Sequence, residues 1–194
     1  IVLLIAVTGL VALLCALPLA EGGCTDALHD LNALLPHGDW RGKALGIAQE
    51  EPVAGPLTVA FSLLEVTDTG LKGFFDSRVP LCATEENCLG VARAAFEARG
   101  FAFEASQGAP HHVPADSPFI KTLLRRYEEY TGLKGECLST GGGTYVHDIP
   151  GGVAFGCTLP GFDTRLHGAD ERVRISDLML SAKLFAHIIV DLCG

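Results

Sequence analysis

The 194-residue sequence predicts a mixed fold in two parts, an α+β sandwich over residues 1–108 and the edge of an α/β sheet over residues 109–194. Residues 57–66 and 71–80 are rich in β-branched and aromatic side chains and flank the turn-forming residues 67–70, which predicts an antiparallel hairpin. In the second part, helical patterns alternate with short apolar stretches, as in α/β proteins. Two helices and two short strands cannot cover both faces of such a sheet, so we expect further structure to complete it.

Three helices and a final strand accompany the hairpin in the first part. An apolar helix is predicted over residues 7–19, and a second helix over residues 25–35 with Thr25 as a capping residue. A third helix is predicted within residues 84–100, because a capping threonine and two acidic residues open it and a glycine closes it. Residues 101–104 are predicted to form a short strand.

The second part contains two predicted helices separated by short strands. Ser117 precedes a proline and is expected to cap a helix over residues 118–131, which a glycine then ends. Residues 136–139 and 153–157 are predicted to be strands. The last helix is expected to begin with Ser176 as its cap, and its apolar positions cover a broad face.

Composition excludes several classes of function. The net charge of −9 and the absence of a lysine and arginine cluster argue against a nucleic-acid partner. The sequence contains neither the GxxxxGK pattern of phosphate loops nor the GxSxG pattern of serine hydrolases. Seven dispersed cysteines without a CxxC pair indicate buried thiols in a reducing compartment, which predicts a cytoplasmic protein. A secreted protein with a disulfide framework is the alternative.

Residues 1–20 carry no charged side chain, and this length is sufficient to span a bilayer. The segment has no basic residues before it, contains small residues and includes a proline near its end, which favours a buried helix. A membrane anchor or targeting segment is the alternative interpretation. Because the chain does not begin with methionine, we expect it to start within a longer protein.

The features most indicative of a functional site are the three consecutive glycines at 141–143 and the later His167. Glycines permit a close approach of the backbone to a ligand, and a histidine in a polar loop can bind metal or transfer protons. An ordinary tight connection and a surface histidine are the alternatives. His111 and His112 are expected to be solvated, and His147 to lie in a loop near the glycines.

Four separated segments resemble, in collinear order, the PepV-type dipeptidases, which are two-metal exopeptidases related to carnosinases, aminoacylases and glutamate carboxypeptidases. Residues 141–178 (GGGTYVHDIPGG…HGADERVRISDL) are similar to the C-terminal segment of those enzymes. Residues 114–132 resemble the helix on which their chain re-enters the catalytic domain. Residues 74–88 and 8–20 are similar to parts of their lid domain. The resemblance implies a lid domain over residues 1–108 and the end of a metallopeptidase catalytic domain over residues 109–194.

The resemblance implies a pair of divalent metal ions, zinc or alternatively manganese, with His167 as one of the ligands. An imidazole nitrogen suits such a cation at about 2 Å, and the other ring nitrogen then donates to an acceptor outside the ligand set. The expected acceptors are the neighbouring carboxylates, namely Asp163, Asp170 and Glu171.

The resemblance also implies two contacts with a dipeptide substrate. Arg78 would bind the terminal carboxylate through its planar guanidinium group. An arginine at a strand edge that pairs with Asp76 or Glu65 is the alternative. The backbone of the glycine run would lie against the substrate, through Gly141, Gly142, Gly143 and Thr144.

One departure from the family limits what this chain is expected to do. In the family, a metal-activated water hydrolyses the peptide bond and a glutamate transfers the proton, but the other ligands and that glutamate come from an N-terminal half. No HxD motif followed by a Glu-Glu pair stands upstream of the segments that resemble the family, and the Glu-Glu pairs at 50–51, 85–86 and 128–129 lie in a predicted linker and on predicted helix faces. We therefore expect a fragment without a catalytic residue of its own, inactive in isolation, whose partner is the missing N-terminal half. A non-catalytic lid or dimerisation module, and a membrane-anchored or exported relative, are the alternatives.

Overall fold

A computed structural model describes residues 2–108, 110–140, 144–156 and 158–194 of the chain. Contacts divide these residues into two compact units. Unit 1 contains the described residues up to 110 together with residues 139–140, and unit 2 contains residues 111–138 and the described residues from 144 onward. Helices and small antiparallel sheets make up the fold, in agreement with the predicted α+β class. The identities of the units as lid and catalytic segment stay predictions.

Unit 1 combines three helices with two two-stranded antiparallel sheets. Its elements in chain order are α1 (Val2–Cys15), α2 (Gly23–Leu34), β1 (Glu50–Glu51), β2 (Gly55–Pro56), β3 (Thr58–Val66), β4 (Leu71–Arg78), a π-helical segment (Glu85–Leu89) and α3 (Gly90–Glu97).

The predicted hairpin is confirmed as β3 and β4, which pair in antiparallel register from Thr58 opposite Arg78 to Val66 opposite Leu71. The amide of Thr67 donates to the carbonyl oxygen of Gly70 at 2.8 Å and closes the turn. β3 buries Val59 and Phe61 in alternation, with its other face less buried, which is the pattern of a half-covered strand. The remaining buried residues of this core are Val11, Leu31, Leu34, Leu35, Leu45, Ile47, Leu57, Ala83, Cys88, Ala92 and Phe96.

The predicted strand at residues 101–104 is wrong, because these residues form no ladder. The carbonyl oxygen of Phe103 instead accepts a hydrogen bond from Nη1 of Arg93 at 2.9 Å. The rings of Phe101 and Phe103 pack on Phe96 at centroid distances of 5.8 and 5.3 Å. The aromatic residues that suggested a strand therefore serve as core side chains on an irregular segment.

Helix α1 is only partly buried, so the expectation of a buried helix was wrong for one of its faces. Val11 is 1% exposed, whereas Leu10 and Leu13 are 50% and 60% exposed. The helix contacts α2 and β3 on one side, and these elements cannot cover its other side. Within the described residues, no helix is long and apolar enough to cross a membrane.

Helix ends follow the local sequence signals at some sites and not at others. Thr84 caps the π-helical segment and forms a reciprocal capping box with Asn87, as the opening of the third predicted helix required. Thr25 does not cap α2, because the helix already begins at Gly23 and the Thr25 hydroxyl donates to the carbonyl oxygen of Ala20 at 2.7 Å.

Unit 2 contains two helices, α4 (Pro118–Thr131) and α5 (Ile175–Cys193). Ser117 caps α4, since its hydroxyl oxygen accepts from the amide of Ile120, and Gly132 ends the helix with a φ of 67°. The predicted cap of α5 at Ser176 is wrong, because the helix begins one residue earlier. The two helices pack through a small core of Ile120, Leu123, Leu184 and Ile188.

The strands predicted at residues 136–139 and 153–157 are absent from the described part of these ranges, which excludes residue 157. Residues 136–139 are exposed, and the ring of Phe155 packs edge-on against Phe185 at 5.6 Å. Because no other described strand exists in unit 2, these segments have no backbone partner with which to form a ladder.

Gly42 occupies a position that no other residue fits. Its φ is 67°, and a Cβ atom there would lie 2.7 Å from Cγ1 of Ile47 and 3.0 Å from Cγ2 of Val59. We expect Gly42→Ala to lower the free energy of unfolding by about 2–4 kcal/mol, from left-handed strain plus overpacking. Gly38→Ala, with a φ of 88° and no atom within 4 Å, isolates the strain. If the two variants lost the same free energy of unfolding in urea titrations, overpacking would not contribute at Gly42.

An ion-pair network joins α4 to the end of α5. Nε and Nη2 of Arg126 each lie 2.6 Å from one carboxylate oxygen of Asp191, and Nη2 of Arg125 lies 2.8 Å from Oδ2. Glu129 accepts from both arginines. The hydrogen bonds from Arg126, supported by its charge and by Arg125, lower the pKa of Asp191 to about 2.

The network predicts a stability that falls in acid. Because the pKa of Asp191 is lower in the folded state, its contribution is complete above the unfolded value of about 4 and is lost as the pH falls towards about 2. We expect Asp191→Asn to reduce the thermal midpoint at neutral pH and to flatten its decline over that range. Glu136→Gln removes a single exposed pair with Lys134, which lowers the pKa of Glu136 less, so this variant should flatten the pH profile less than Asp191→Asn does. Identical profiles for Asp191→Asn and the wild type would contradict this assignment.

Candidate functional site

His167 lies at the tip of an exposed loop of unit 2 that precedes α5. Its backbone has a φ of 60°, and two other non-glycine residues of the loop, Arg165 and Asp170, have φ values of 53° and 57°. Left-handed backbone is uncommon outside glycine, although histidine and aspartate adopt it more readily than most residues. Three such residues within six positions point to a loop whose conformation is imposed by its contacts.

The carboxylates near His167 have contacts of their own within this loop. Oδ1 of Asp163 accepts from the amide of Arg165 at 2.9 Å, and the Arg165 guanidinium lies 3.5 Å from Oδ2 of Asp170. Glu171 is exposed. The amide of Gly168 donates to the carbonyl oxygen of Arg165 at 2.7 Å and closes the turn that presents His167. The predicted role of the three carboxylates as acceptors for the imidazole stays a prediction.

The described residues do not by themselves form a metal centre. Within residues 2–108, 110–140, 144–156 and 158–194, no group of three or more histidine, cysteine, aspartate or glutamate side chains could hold a metal ion. One exposed imidazole supplies a single ligand, whereas zinc sites in proteins use three or four. The donor set of the described residues therefore does not fit a metal pair on its own.

Aromatic and cationic side chains surround the base of the His167 loop, and the sequence analysis did not single them out. The guanidinium carbon of Arg174 lies 4.6 Å from the ring centroid of Phe162, and that of Arg172 lies 5.6 Å from it. An F-D…R-V-R pattern around a loop is the only sequence signal for this arrangement, and it is weak.

Arg78 is exposed at the end of β4 in unit 1, opposite Thr58. The alternative partner Glu65 lies opposite Lys72 in the same ladder, several positions away from Arg78. Arg78 belongs to unit 1 and His167 to unit 2, so their approach to a common substrate stays a prediction.

The glycine run lies outside the described residues at positions 141–143, and only Thr144 of the predicted substrate-binding segment can be placed. Thr144 is exposed, and its carbonyl oxygen accepts from the amide of His147 at 3.0 Å. His111 is not solvated as expected. Its Nε2 lies 2.6 Å from the carbonyl oxygen of Gly152, and its ring packs on that of His147 at 5.5 Å.

Comparison with known proteins shows that this chain is similar to part of several proteins named as dipeptidases. It is 38% identical over 159 residues to "Putative dipeptidase YtjP" of Bacillus subtilis (strain 168). The aligned residues make up 80% of this chain and 33% of the relative. It is 32% identical over 168 residues to Beta-Ala-Xaa dipeptidase of Lactobacillus delbrueckii subsp. lactis. This alignment includes 85% of this chain and 35% of the relative. No protein-family model matches the sequence.

The resemblance to PepV-type dipeptidases predicted from the sequence is thereby confirmed. This chain is homologous to these proteins over about four fifths of its own length. It spans about one third of the length of the relatives it matches.

Proposed function

We propose that this chain forms part of a metal-dependent dipeptidase, with zinc or manganese as the metal. The observation that carries the proposal is the 38% identity, over most of the chain, with a protein named as a dipeptidase. Similarity at a comparable level to a Beta-Ala-Xaa dipeptidase supports a dipeptide or another small peptide as the substrate. A cytoplasmic location and the absence of nucleic-acid and membrane partners remain part of the same proposal.

Within that enzyme, His167 would supply one metal ligand from its left-handed loop. An exposed imidazole at a loop tip can be approached by groups from another polypeptide segment, which a metal centre shared between segments requires. Asp163, Asp170 and Glu171 would orient the imidazole. Arg78 and the backbone at 141–144 would contact the substrate. Because the described residues do not fit a metal pair alone, the remaining ligands must come from other residues.

The surface of α5 supports the proposal of a partner segment. At 100° per residue, its exposed apolar side chains cover a broad arc that runs from the edge of the buried Leu184 and Ile188 face to the opposite side of the helix. A helix that is apolar on both faces is typical of one covered on both sides. The exposed members are Ile175, Leu178, Met179, Phe185, Ile189, Val190 and Leu192, with exposures of 43% to 79%. We propose that the remaining two thirds of a dipeptidase chain cover this face.

The isolated chain is therefore expected to be inactive. With added Zn²⁺ or Mn²⁺, the purified protein should release amino acids from dipeptides no faster than they are released in buffer without protein. Refolding it together with the part of YtjP that it does not match should restore hydrolysis, with full-length YtjP as the positive control. Hydrolysis by the isolated chain would contradict the proposed division of the site. An inactive mixture, in an assay where YtjP is active, would contradict the proposed contribution of this chain.

A variant of the α5 face tests the proposed interface separately from the site. Ile189→Lys places a charge on the exposed apolar face and should abolish association with the YtjP part in sedimentation velocity. Lys183→Glu changes charge on the narrow polar strip of the same helix and should leave association unchanged. Equal association of the two variants would contradict the proposed surface.

A non-catalytic lid or dimerisation module is the second candidate function. The observation that favours it is the exposure of apolar side chains on the hairpin, where Leu63, Val66 and Phe74 are 53%, 48% and 60% exposed. This candidate predicts self-association that Phe74→Lys abolishes, together with no hydrolysis in any mixture. Sedimentation of the wild-type chain and of Phe74→Lys at several concentrations distinguishes this candidate function from the first proposal.

A further inference from the structure

Phe162 contacts two guanidinium groups at the base of the His167 loop. Arg174 lies over its ring at 4.6 Å, and Arg172 lies at 5.6 Å. Both distances fall within the range in which a cation is attracted to the face of an aromatic ring. Two cations that converge on one ring repel each other, so other contacts must hold them there.

Arg174 is held by the first turn of α5. Its Nε donates to Oδ2 of Asp177 at 3.0 Å, and the hydroxyl of Ser176 donates to Oδ1 of the same carboxylate at 3.1 Å. Asp177 is only 5% exposed and lies where a helix N-terminus favours negative charge. Arg174 is therefore attached to the helix that carries the core of unit 2.

Arg172 is held by the opposite side of the loop. Its amide donates to the carbonyl oxygen of Thr164 at 2.9 Å, and its Nε donates to the carbonyl oxygen of Asp163 at 3.3 Å. These two bonds close residues 163–172 into a loop with His167 near its middle. The three left-handed residues of that loop all lie between the bonded ends.

We propose that Phe162, Arg172 and Arg174 form a clamp that positions His167. The clamp connects the buried Asp177 through Arg174 and the Phe162 ring to Arg172, and thereby fixes the ends of the strained loop. Strained backbone persists only where its surroundings determine it, and this clamp supplies such surroundings. The proposal rests on the proposed function only in taking His167 as the residue that must be positioned.

Nuclear magnetic resonance of the isolated chain tests the clamp without any measurement of activity. Phe162→Leu removes the aromatic face at a similar volume. In this variant, we expect the coupling constant between the amide and Hα protons of His167 and Asp170 to depart from the value for a positive φ. We also expect the amide hydrogen of Arg172 to exchange with solvent about 5-fold faster or more. Phe162→Tyr, which retains the ring face, should restore both wild-type values.

Phe155→Leu is the matched control, because it removes a ring of the same unit that packs on Phe185 and makes no cation contact among the described residues. It should lower the thermal midpoint and leave the His167 coupling unchanged. If Phe162→Leu unfolds unit 2, Arg172→Gln provides the test, since it removes the cation and retains much of the side-chain length. An unchanged His167 coupling in Arg172→Gln, or in a folded Phe162→Leu protein, would overturn the proposal.

Discussion

Leu184→Ala is expected to destabilise unit 2 by about 2–5 kcal/mol, the usual cost of a cavity left by a buried leucine. Leu184 is 2% exposed and belongs to the buried cluster that joins α4 to α5, together with Ile120, Leu123 and Ile188. The free energy of unfolding from urea titration of the chain measures this destabilisation.

Leu178→Ala is the matched control on the same helix. Leu178 is 50% exposed, so its truncation should change the free energy of unfolding of the isolated chain by about 0.5 kcal/mol or less. If both variants lost the same free energy, the two faces of α5 would be equally covered. That result would contradict the assignment of Leu184 to the core and of Leu178 to the open face.

Local sequence signals predicted the features that depend on neighbours in the chain. The hairpin of β3 and β4 follows from alternating side chains around a turn, and both partners lie within one short segment. The caps at Ser117 and Thr84 depend on residues three positions away. These elements could be predicted because each contains its own partner.

The three strands that are absent had no such partner. Residues 101–104 and 153–156 carry the apolar and aromatic residues of strands, but a strand is stable only beside another. In the structure their phenylalanine rings pack on helices instead, at Phe96 and Phe185. Composition indicated burial of these side chains, and it could not indicate whether a neighbouring strand would be available.

The residues of the candidate site also differ in whether the sequence could indicate them. His167 could be chosen as a candidate because it lies within a continuous motif that resembles the dipeptidases, and its role stays a prediction. The placement of Arg172 and Arg174 around Phe162 could not be predicted, because it depends on a loop that folds back over ten residues and on a contact with α5. The spacing of these residues is too weak a signal to predict that both side chains contact one ring.

His167→Asn is expected to abolish dipeptide hydrolysis by the protein assembled with the YtjP part, with a loss of about 100-fold or more. Replacement of groups that merely support a metal ligand costs about 10- to 100-fold, so loss of a ligand itself should cost at least as much. Asparagine tolerates the φ of 60° at this position, so the substitution removes the ring nitrogens while it retains the backbone. The coupling constants of the loop should therefore remain those of the wild type.

Leu166→Asn provides the comparison at the neighbouring exposed position, where a polar side chain should leave hydrolysis within about twofold, because surface substitutions usually have small effects. Isothermal titration of the assembled protein with Zn²⁺ should show weaker binding for His167→Asn and unchanged binding for Leu166→Asn. If His167→Asn kept its hydrolysis, the imidazole would not be a metal ligand. This conclusion would hold whether or not the loop keeps its conformation. A ligand role and a positioning role thus give different results, because the clamp variants move the coupling constants while His167→Asn moves the metal affinity alone.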